Sequence, residues 1–314
     1  MVDRKVPSLI IVGAQKCGSS SLAHYINQHP DCFLSEPKEP TYFSRLSTLG
    51  DSKIYEECFA KSRGEQVLFE ASTGYLFEPY AAQRIRDELG SIKIIMILRN
   101  PIERTISAYL HLRKRFHEAR PLKNIIEGLP ENMDECCFEE NRRAVLAASE
   151  RKVELSSYAS RYDDFLWPFR YVSNSQYSKG ILRYQRLFGR ENVFIVLLED
   201  LEKNPTVVME RVFNYLSLPT CYSDQFTKRL NETSMPTKLN FTYYLKHGGW
   251  REAFIRRLSS VHDVREALSG KKGRGKEEAF VEEGVRDNLA AIFLSHIEEV
   301  SELCQQDLGT VWNL

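Results

Sequence analysis

The sequence lacks two features that would assign it to a broad class at once: an excess of charge and a long apolar run. Lysine plus arginine and aspartate plus glutamate number 43 each in the 314 residues, so the formal net charge at pH 7 is zero. A chain without excess positive charge carries no general signal for nucleic acid or for an anionic membrane surface. No apolar stretch approaches the length of a membrane span. We therefore expect a soluble protein that binds neither nucleic acid nor membrane.

The cysteines lack the spacing of a metal site or of a disulfide framework. There are seven, an odd number, without a C-x-x-C pair or nearby histidine pairs. Reduced thiols in the cytoplasm are the simpler interpretation. The first predicted strand begins within ten residues of the N-terminus, so we expect no signal sequence before it. Two N-x-[ST] sequons, at Asn231 and Asn240, keep a secretory lumen open as the alternative for a trimmed chain.

Apolar runs alternate with helical patterns along much of the chain. The runs lie at 9–14, 66–73, 92–101 and 192–201. Strands alternating with helices predict an α/β fold, here a single three-layer domain over residues 1–314 with a central parallel β-sheet. Two segments, at about 113–170 and 240–285, break the alternation, and the second contains a Gly/Lys-rich stretch at 269–277. We expect both segments to be insertions over one core, with a mobile basic loop in the second.

The stretch GAQKCGSSSL, residues 13 to 22, lacks one residue of the loop that binds nucleoside triphosphates. That loop, G-x-x-x-x-G-K-[ST], has its lysine directly after the second glycine, whereas Ser19 follows Gly18 here and the only lysine is Lys16. The stretch joins a predicted buried strand to a predicted helix, where free backbone N–H groups and the helix dipole favour an anion. It is therefore P-loop-like and predicts a phosphate site. An ordinary strand-to-helix turn is the alternative.

Polar residues after the run IIMIL indicate a second anion site. Arg99, Asn100 and Pro101 end this run, and Ser107 lies on the first turns of the helix predicted to follow. A guanidinium binds phosphate through two parallel hydrogen bonds. Two such sites describe a ligand with phosphate groups at two separate positions. For Arg99 by itself, a surface arginine after a strand is the alternative.

Four ordered motifs carry a family resemblance. They are VGAQKCGSSSL, HPDCFLSEPKEPTYFS, ILRNPIERTISAYLH and YSKGILRYQRLFGRENVFIVLLEDLEKNPTVVMERVFNYLSL. In this order they resemble the sulfotransferases that use 3′-phosphoadenosine 5′-phosphosulfate (PAPS), in particular the heparan sulfate N- and 3-O-sulfotransferases and their bacterial relatives. The first motif is similar to that family's 5′-phosphosulfate loop, the second to its Lys-Glu-Pro-x-x-Phe segment and the third to its 3′-phosphate motif. The C-terminal IEEVSELCQQDLGTVW is similar to its closing helix.

The resemblance implies transfer of a sulfuryl group from PAPS, with PAP as the product and no metal. The acceptor would carry a hydroxyl or an amine, as in a small natural product or a carbohydrate, and the insertion at 113–170 would form much of its pocket. The 3′-phosphate would be bound by Arg99 and Ser107. Lys16 would stabilise the charge that builds on the bridging oxygen during transfer. The residues implied at the 5′-phosphosulfate are Lys16, Cys17, Gly18, Ser19, Ser20 and Ser21.

Two residues are candidates for the general base that takes the acceptor's proton. Glu39 matches the glutamate of the family's Lys-Glu-Pro segment. His111 matches a histidine of the N-sulfotransferases and lies one helical turn after Ser107. The sequence does not choose between them. It also departs from the heparan sulfate enzymes, which have a lysine counted as catalytic where this chain has Ala71. Either Lys16 and His111 suffice, or the acceptor is not a glycosaminoglycan.

Two other functions remain open at this point. A phosphoryl-transfer kinase of related topology would need an acidic metal ligand at a strand end, for which only Glu199 and Asp200 are available. A nucleotide-binding protein without catalysis would need no general base such as Glu39. The sequence does not indicate an oligomeric state.

Overall fold

The structure, a computed structural model, describes residues 5–44, 52–114, 117–150, 152–153, 155, 164, 166–227 and 281–313. The sequons at Asn231 and Asn240 and the Gly/Lys-rich stretch at 269–277 lie outside the described residues, as does nearly all of the predicted insertion at 240–285.

Five strands form one sheet at the centre of the described chain. They are β1 (Leu9–Gly13), β2 (Cys32–Leu34), β3 (Val67–Glu70), β4 (Lys93–Leu98) and β5 (Val193–Leu197). All pairs are parallel, in the order β2-β3-β1-β4-β5, which confirms the predicted parallel sheet. The neighbouring strands β1 and β4 consist almost entirely of apolar residues and are almost fully buried, as expected for strands covered on both faces. The edge strand β2 is three residues long within a polar segment, and we did not predict it.

Helices connect the strands and flank the sheet. They are α1 (Ser19–Ile26), α2 (Ser52–Glu57), α3 (Ala81–Leu89), α4 (Pro101–Lys114), α5 (Leu122–Ile126), α6 (Met133–Ser149), α7 (Ser178–Phe188), α8 (Leu198–Lys203), α9 (Pro205–Leu216), α10 (Val285–Cys304) and α11 (Leu308–Trp312). Among the helices of the described ranges, none is long and apolar enough to cross a membrane. One boundary differs from the sequence pattern. The run at 192–201 is strand only to Leu197, because Glu199 and Asp200 lie in the first turn of α8, where the helix dipole favours acidic side chains.

The order of the strands determines where a ligand can bind. From β1 the chain runs to the edge strand β2 and back to β3, then passes to β4 and β5 on the other side of β1, so the direction of winding switches beside β1. In open parallel sheets, ligands bind outside the carboxyl ends of the strands at such a switch point. The loop that follows β1 is joined to β4 here by a hydrogen bond of 2.7 Å from the Ala14 N–H to the Ile97 carbonyl. The two predicted anion sites therefore lie directly after β1 and β4, the two strands next to this switch point.

Candidate active site

Gly18 begins α1 in a conformation and a space that favour glycine. It precedes the helix with a φ of 90° and a ψ of 13°, a left-handed conformation that residues with a Cβ rarely adopt. A Cβ at this position would lie 2.6 Å from Cδ1 of Leu198, at the start of α8. The first turn of α1 consists of Ser19, Ser20 and Ser21, and the N–H groups of a first turn have no partner within their own helix. Such a helix start suits an anion.

Three of the predicted site residues meet beside this helix start: Lys16, Arg99 and His111. Lys16 Nζ lies 3.5 Å from Nδ1 of His111, on α4. Arg99 directly follows β4, and its Nη1 donates to the backbone carbonyl of Lys16 at 3.5 Å. Two positive side chains attract an anion, and an imidazole exchanges protons near neutral pH. The arrangement combines the means to bind an anion with a group that can accept or donate a proton.

Arg104 ties the loop after β1 to α4. This arginine is buried within the helix. Its Nε donates to the Gln15 carbonyl at 3.1 Å and its Nη1 to the Tyr171 carbonyl at 3.0 Å. A buried guanidinium has to be hydrogen-bonded, so these bonds hold both backbone segments in place. The sequence showed Arg104 within the motif but not its burial, because nothing in the pattern of residues separates a buried arginine from an exposed one.

Cys17 is buried, so its side chain does not face a ligand. Its Sγ lies 3.8 Å from the hydroxyl of Tyr177, and burial raises the pKa of the thiol to about 11. The thiol is therefore protonated at neutral pH. The Tyr177 hydroxyl donates in turn to the Arg99 carbonyl at 2.9 Å. The backbone N–H of Cys17 donates to the Ala14 carbonyl at 3.4 Å, and a role of Cys17 in binding phosphosulfate, as predicted from the motif, would have to use this N–H.

Glu39 lies at the end of β3, in the segment that follows β2. Its Oε1 accepts a hydrogen bond of 2.6 Å from Lys38 Nζ, which also donates to the Ala71 carbonyl at 3.1 Å. The backbone of the segment is attached to the same place, because the Ala71 N–H donates to the Lys38 carbonyl at 3.0 Å. The structure thus pairs Glu39 with Lys38, a residue that we did not predict. Strand β3 is the neighbour of β1 in the sheet, so this pair lies at the end of the strand next to the one that leads to Lys16.

Beneath this segment, β3 ends on a buried carboxylate. Glu70 accepts hydrogen bonds from the hydroxyls of Tyr55 at 2.5 Å, Tyr75 at 3.3 Å and Ser72. Burial raises the pKa of Glu70 to about 7, with a smaller contribution from the negative charge of Glu39. Ser72 also accepts from the Thr41 N–H at 3.2 Å, which links Glu70 to the segment that carries Glu39. The only signal of this network in the sequence is a glutamate within an apolar run.

Asn100 organises the second predicted anion site. Its Oδ1 accepts from the Ile102 N–H at 2.9 Å and so caps the start of α4. Arg99 directly precedes this cap, and Ser107 lies half-buried on the second turn of the helix behind it. The Asn100 N–H donates to Glu199 Oε1 at 2.9 Å. The acidic residue that a kinase would need for metal binding is thus hydrogen-bonded to the loop that holds Arg99.

Residues 6–272 match the family model described as Sulfotransferase domain. The chain belongs to the sulfotransferase family. This confirms the family and the enzyme class that the four motifs indicated.

Individual relatives of this sulfotransferase agree with the resemblance seen in its motifs. The chain is 25% identical over 221 residues to bifunctional heparan sulfate N-deacetylase/N-sulfotransferase 1 of Caenorhabditis briggsae, covering 69% of the chain and 23% of the relative. It is 24% identical over 231 residues to human heparan sulfate glucosamine 3-O-sulfotransferase 5, covering 73% and 58%. The chain therefore spans less than two thirds of the length of these relatives. None of the proteins named here is a kinase.

A solved structure resembles the sulfotransferase over nearly its whole length. The crystal structure of a sulfotransferase from Alicyclobacillus acidocaldarius superposes with a TM-score of 0.64 at 25% identity, covering 98% of this chain and 99% of that one. The match confirms the expected likeness to bacterial relatives and the α/β fold.

Proposed function

We propose that this sulfotransferase transfers the sulfuryl group of PAPS to a hydroxyl or amine acceptor and releases PAP. The observation that carries the proposal is the contact of 3.5 Å between Lys16 and His111 beside the start of α1. A lysine and a proton-exchanging imidazole at an anion site suit a reaction that forms an oxyanion and moves a proton. PAPS, when bound, supplies an activated sulfur–oxygen bond whose leaving group is a 5′-phosphate.

The residues fit a ligand with two separate phosphate groups. At the 5′ side, Gly18 begins α1 in a left-handed conformation, the first-turn N–H groups of α1 suit an anion, and Lys16 adds a positive charge. At the 3′ side, Arg99 and Ser107 flank the capped start of α4. We propose these residues, with Ser19, Ser20 and Ser21, as the binding site of PAPS.

We propose Glu39 as the general base and His111 as the second proton-exchanging group. A carboxylate has to be held in place to accept a proton from a bound acceptor. The two bonds of Lys38, to Glu39 and to the Ala71 carbonyl, support this function of Glu39, because they fix its carboxylate against β3. Lys16 would stabilise the charge on the departing oxygen more in the transition state than in the ground state.

The acceptor is proposed to lie under the insertion at 113–170. The insertion continues from α4, which carries His111, and its far end returns to the site, because Arg104 and Thr105 both donate to the Tyr171 carbonyl, at 3.0 Å and 3.2 Å. The relatives named above act on heparan sulfate, which favours a carbohydrate acceptor. The zero net charge and Ala71 favour a smaller or less anionic acceptor, such as a small natural product. We also propose a cytoplasmic location, because all seven cysteines, which lie within the described residues, are free thiols.

Thermal unfolding with PAP, with ATP and with ATP plus magnesium tests the donor. A ligand that binds only the native state raises the melting temperature, so we expect PAP at millimolar concentration to stabilise the protein more than ATP does, without any effect of magnesium. Stabilisation by ATP with magnesium but not by PAP would contradict the proposal. Incubation with sulfur-labelled PAPS and separate panels of sugars, phenols and amines then identifies the acceptor class.

A further inference from the structure

Glu103 lies between two arginines, one of which belongs to the proposed 3′-phosphate site. Its Oε2 is 3.9 Å from Nη2 of Arg99, and its Oε1 makes a direct hydrogen bond with Nη1 of Arg286. Arg99 and Glu103 come from the end of β4 and the first turn of α4, whereas Arg286 is the second residue of α10, nearly two hundred residues later in the sequence. The three side chains form a row of alternating charge.

The two contacts of Glu103 are unequal. The contact with Arg286 is a direct hydrogen bond, while 3.9 Å to Arg99 is close to the limit for an ion pair. The Glu103 carboxylate is therefore held mainly by Arg286, although it remains near the guanidinium that we assign to the 3′-phosphate. A phosphate at Arg99 is negatively charged like Glu103, so the carboxylate and the ligand compete for the same guanidinium and repel one another.

We propose that Glu103 and Arg286 together set the affinity of the sulfotransferase for the 3′-phosphate of PAP and PAPS. Glu103 opposes phosphate binding at Arg99, and Arg286 reduces this opposition by holding and neutralising the Glu103 carboxylate. Arg286 is thus a positioning residue that acts through Glu103 and does not itself contact the ligand. The inference rests on the proposed function, because it takes Arg99 as the site of the 3′-phosphate.

The exposure of the three side chains limits the size of the effect. Arg99 is 27% exposed, Glu103 34% and Arg286 54%. Water and salt screen charges at such positions, and exposed pairs contribute little by themselves. Removing one charge next to a doubly charged phosphate nevertheless changes its binding, and we expect about a threefold to tenfold change in Kd at low ionic strength.

Isothermal titration of the full chain with PAP tests the proposal with four proteins: wild type, Glu103→Gln, Arg286→Gln and the double variant. We expect Glu103→Gln to bind PAP about threefold to tenfold more tightly and Arg286→Gln to bind it more weakly by a similar factor. The double variant should bind like Glu103→Gln, because Arg286 has no function once the carboxylate is gone. The differences should shrink at high salt. Arg142→Gln is the matched control, since Arg142 is 52% exposed and pairs with Glu139 within α6.

Each result decides a different point. If Arg286→Gln weakens binding equally with and without Glu103, Arg286 contacts the phosphate directly and the proposal is wrong. Unchanged Kd values in all variants would overturn it as well, provided that Arg99→Ala weakens PAP binding as a direct contact should. If Arg99→Ala binds PAP like the wild type, the 3′-phosphate lies elsewhere and the proposed site fails. If the wild type does not bind PAP, the proposed function fails and the inference with it. Circular dichroism checks that the variants are folded.

Discussion

Replacing Gly18 with alanine tests whether the helix start beside Lys16 depends on glycine. Alanine at a φ of 90° costs about 1–2 kcal/mol in backbone strain. Its Cβ would lie 2.6 Å from Leu198 Cδ1, and moving the end of that side chain adds about 1 kcal/mol, the low end for overpacking. We therefore expect the free energy of unfolding to fall by roughly 2–3 kcal/mol. PAP affinity should also fall, because alanine at this φ strains the backbone that positions the first-turn N–H groups of α1.

Gly284 provides the matched control. It precedes α10 with a φ of 79° and a ψ of −5°, nearly the conformation of Gly18, but a Cβ there would meet no atom within 4 Å. Gly284→Ala should therefore show the backbone strain without the contact. Urea unfolding measures the difference between the two variants, and calorimetry measures PAP binding. If Gly18→Ala lowers the free energy of unfolding no more than Gly284→Ala does and leaves the PAP affinity unchanged, the reasoning is wrong. The double variant Gly18→Ala/Leu198→Ala has no contact with Leu198 Cδ1. Relative to Leu198→Ala alone, it should therefore lose less free energy of unfolding than Gly18→Ala loses relative to the wild type.

Three further predictions concern charged groups near the site. Lys16→Ala should lower the turnover rate more than it weakens PAPS binding, because the lysine acts mainly on charge that develops in the transition state. Normal turnover with poor PAPS affinity would make Lys16 a binding residue only. Glu39→Gln should keep its PAP affinity and lower turnover by about 10²–10⁴-fold, the usual range for loss of a general base. His111→Ala should lower turnover less. Wild-type turnover of Glu39→Gln at saturating acceptor would exclude Glu39 as the base. Glu70 has a pKa of about 7 in the folded protein against an ordinary glutamate pKa of 4.5, so the folded state binds the proton more tightly than the unfolded chain does. The free energy of unfolding should therefore fall by roughly 3 kcal/mol between pH 4.5 and pH 7 on account of this group. Glu70→Gln should remove that part of the slope in urea titrations at several pH values, and an unchanged slope would contradict the assignment.

The core of the fold could be predicted because its signal is local. The apolar runs of β1 and β4 are long enough to identify buried strands, and alternation with helices then fixes a parallel sheet. The edge strand β2 could not be found, since its three residues pair only through contacts with β3 that are distant in sequence. The end of β5 was misplaced for a different reason: strand and helix meet at Leu198 without a glycine or proline between them.

The proposed site could be predicted in its residues but not in its pairings. The motifs named Lys16, Arg99, His111 and Glu39, and the structure places the first three in contact. Lys38 was not singled out, because only the folded chain brings its ammonium group to the carbonyl of Ala71. The ion pair of Glu103 with Arg286 could not be predicted either, since Arg286 lies on a helix near the other end of the chain. Long-range ion pairs leave no periodic pattern in a sequence.

The contact between Lys16 and His111 bears on which group takes the acceptor's proton. An Nδ1 that accepts a hydrogen bond from an ammonium group has to be unprotonated. A proton on the remaining nitrogen would turn the ring into a cation beside Lys16, with Arg99 near, and like charges at such distances repel. Under the proposed function, a bound phosphosulfate would bring its negative charge to these groups and offset this repulsion. Under the same proposal, His111 would give a proton to the departing oxygen, while Glu39, which Lys38 holds in the segment after β2, would receive the acceptor's proton.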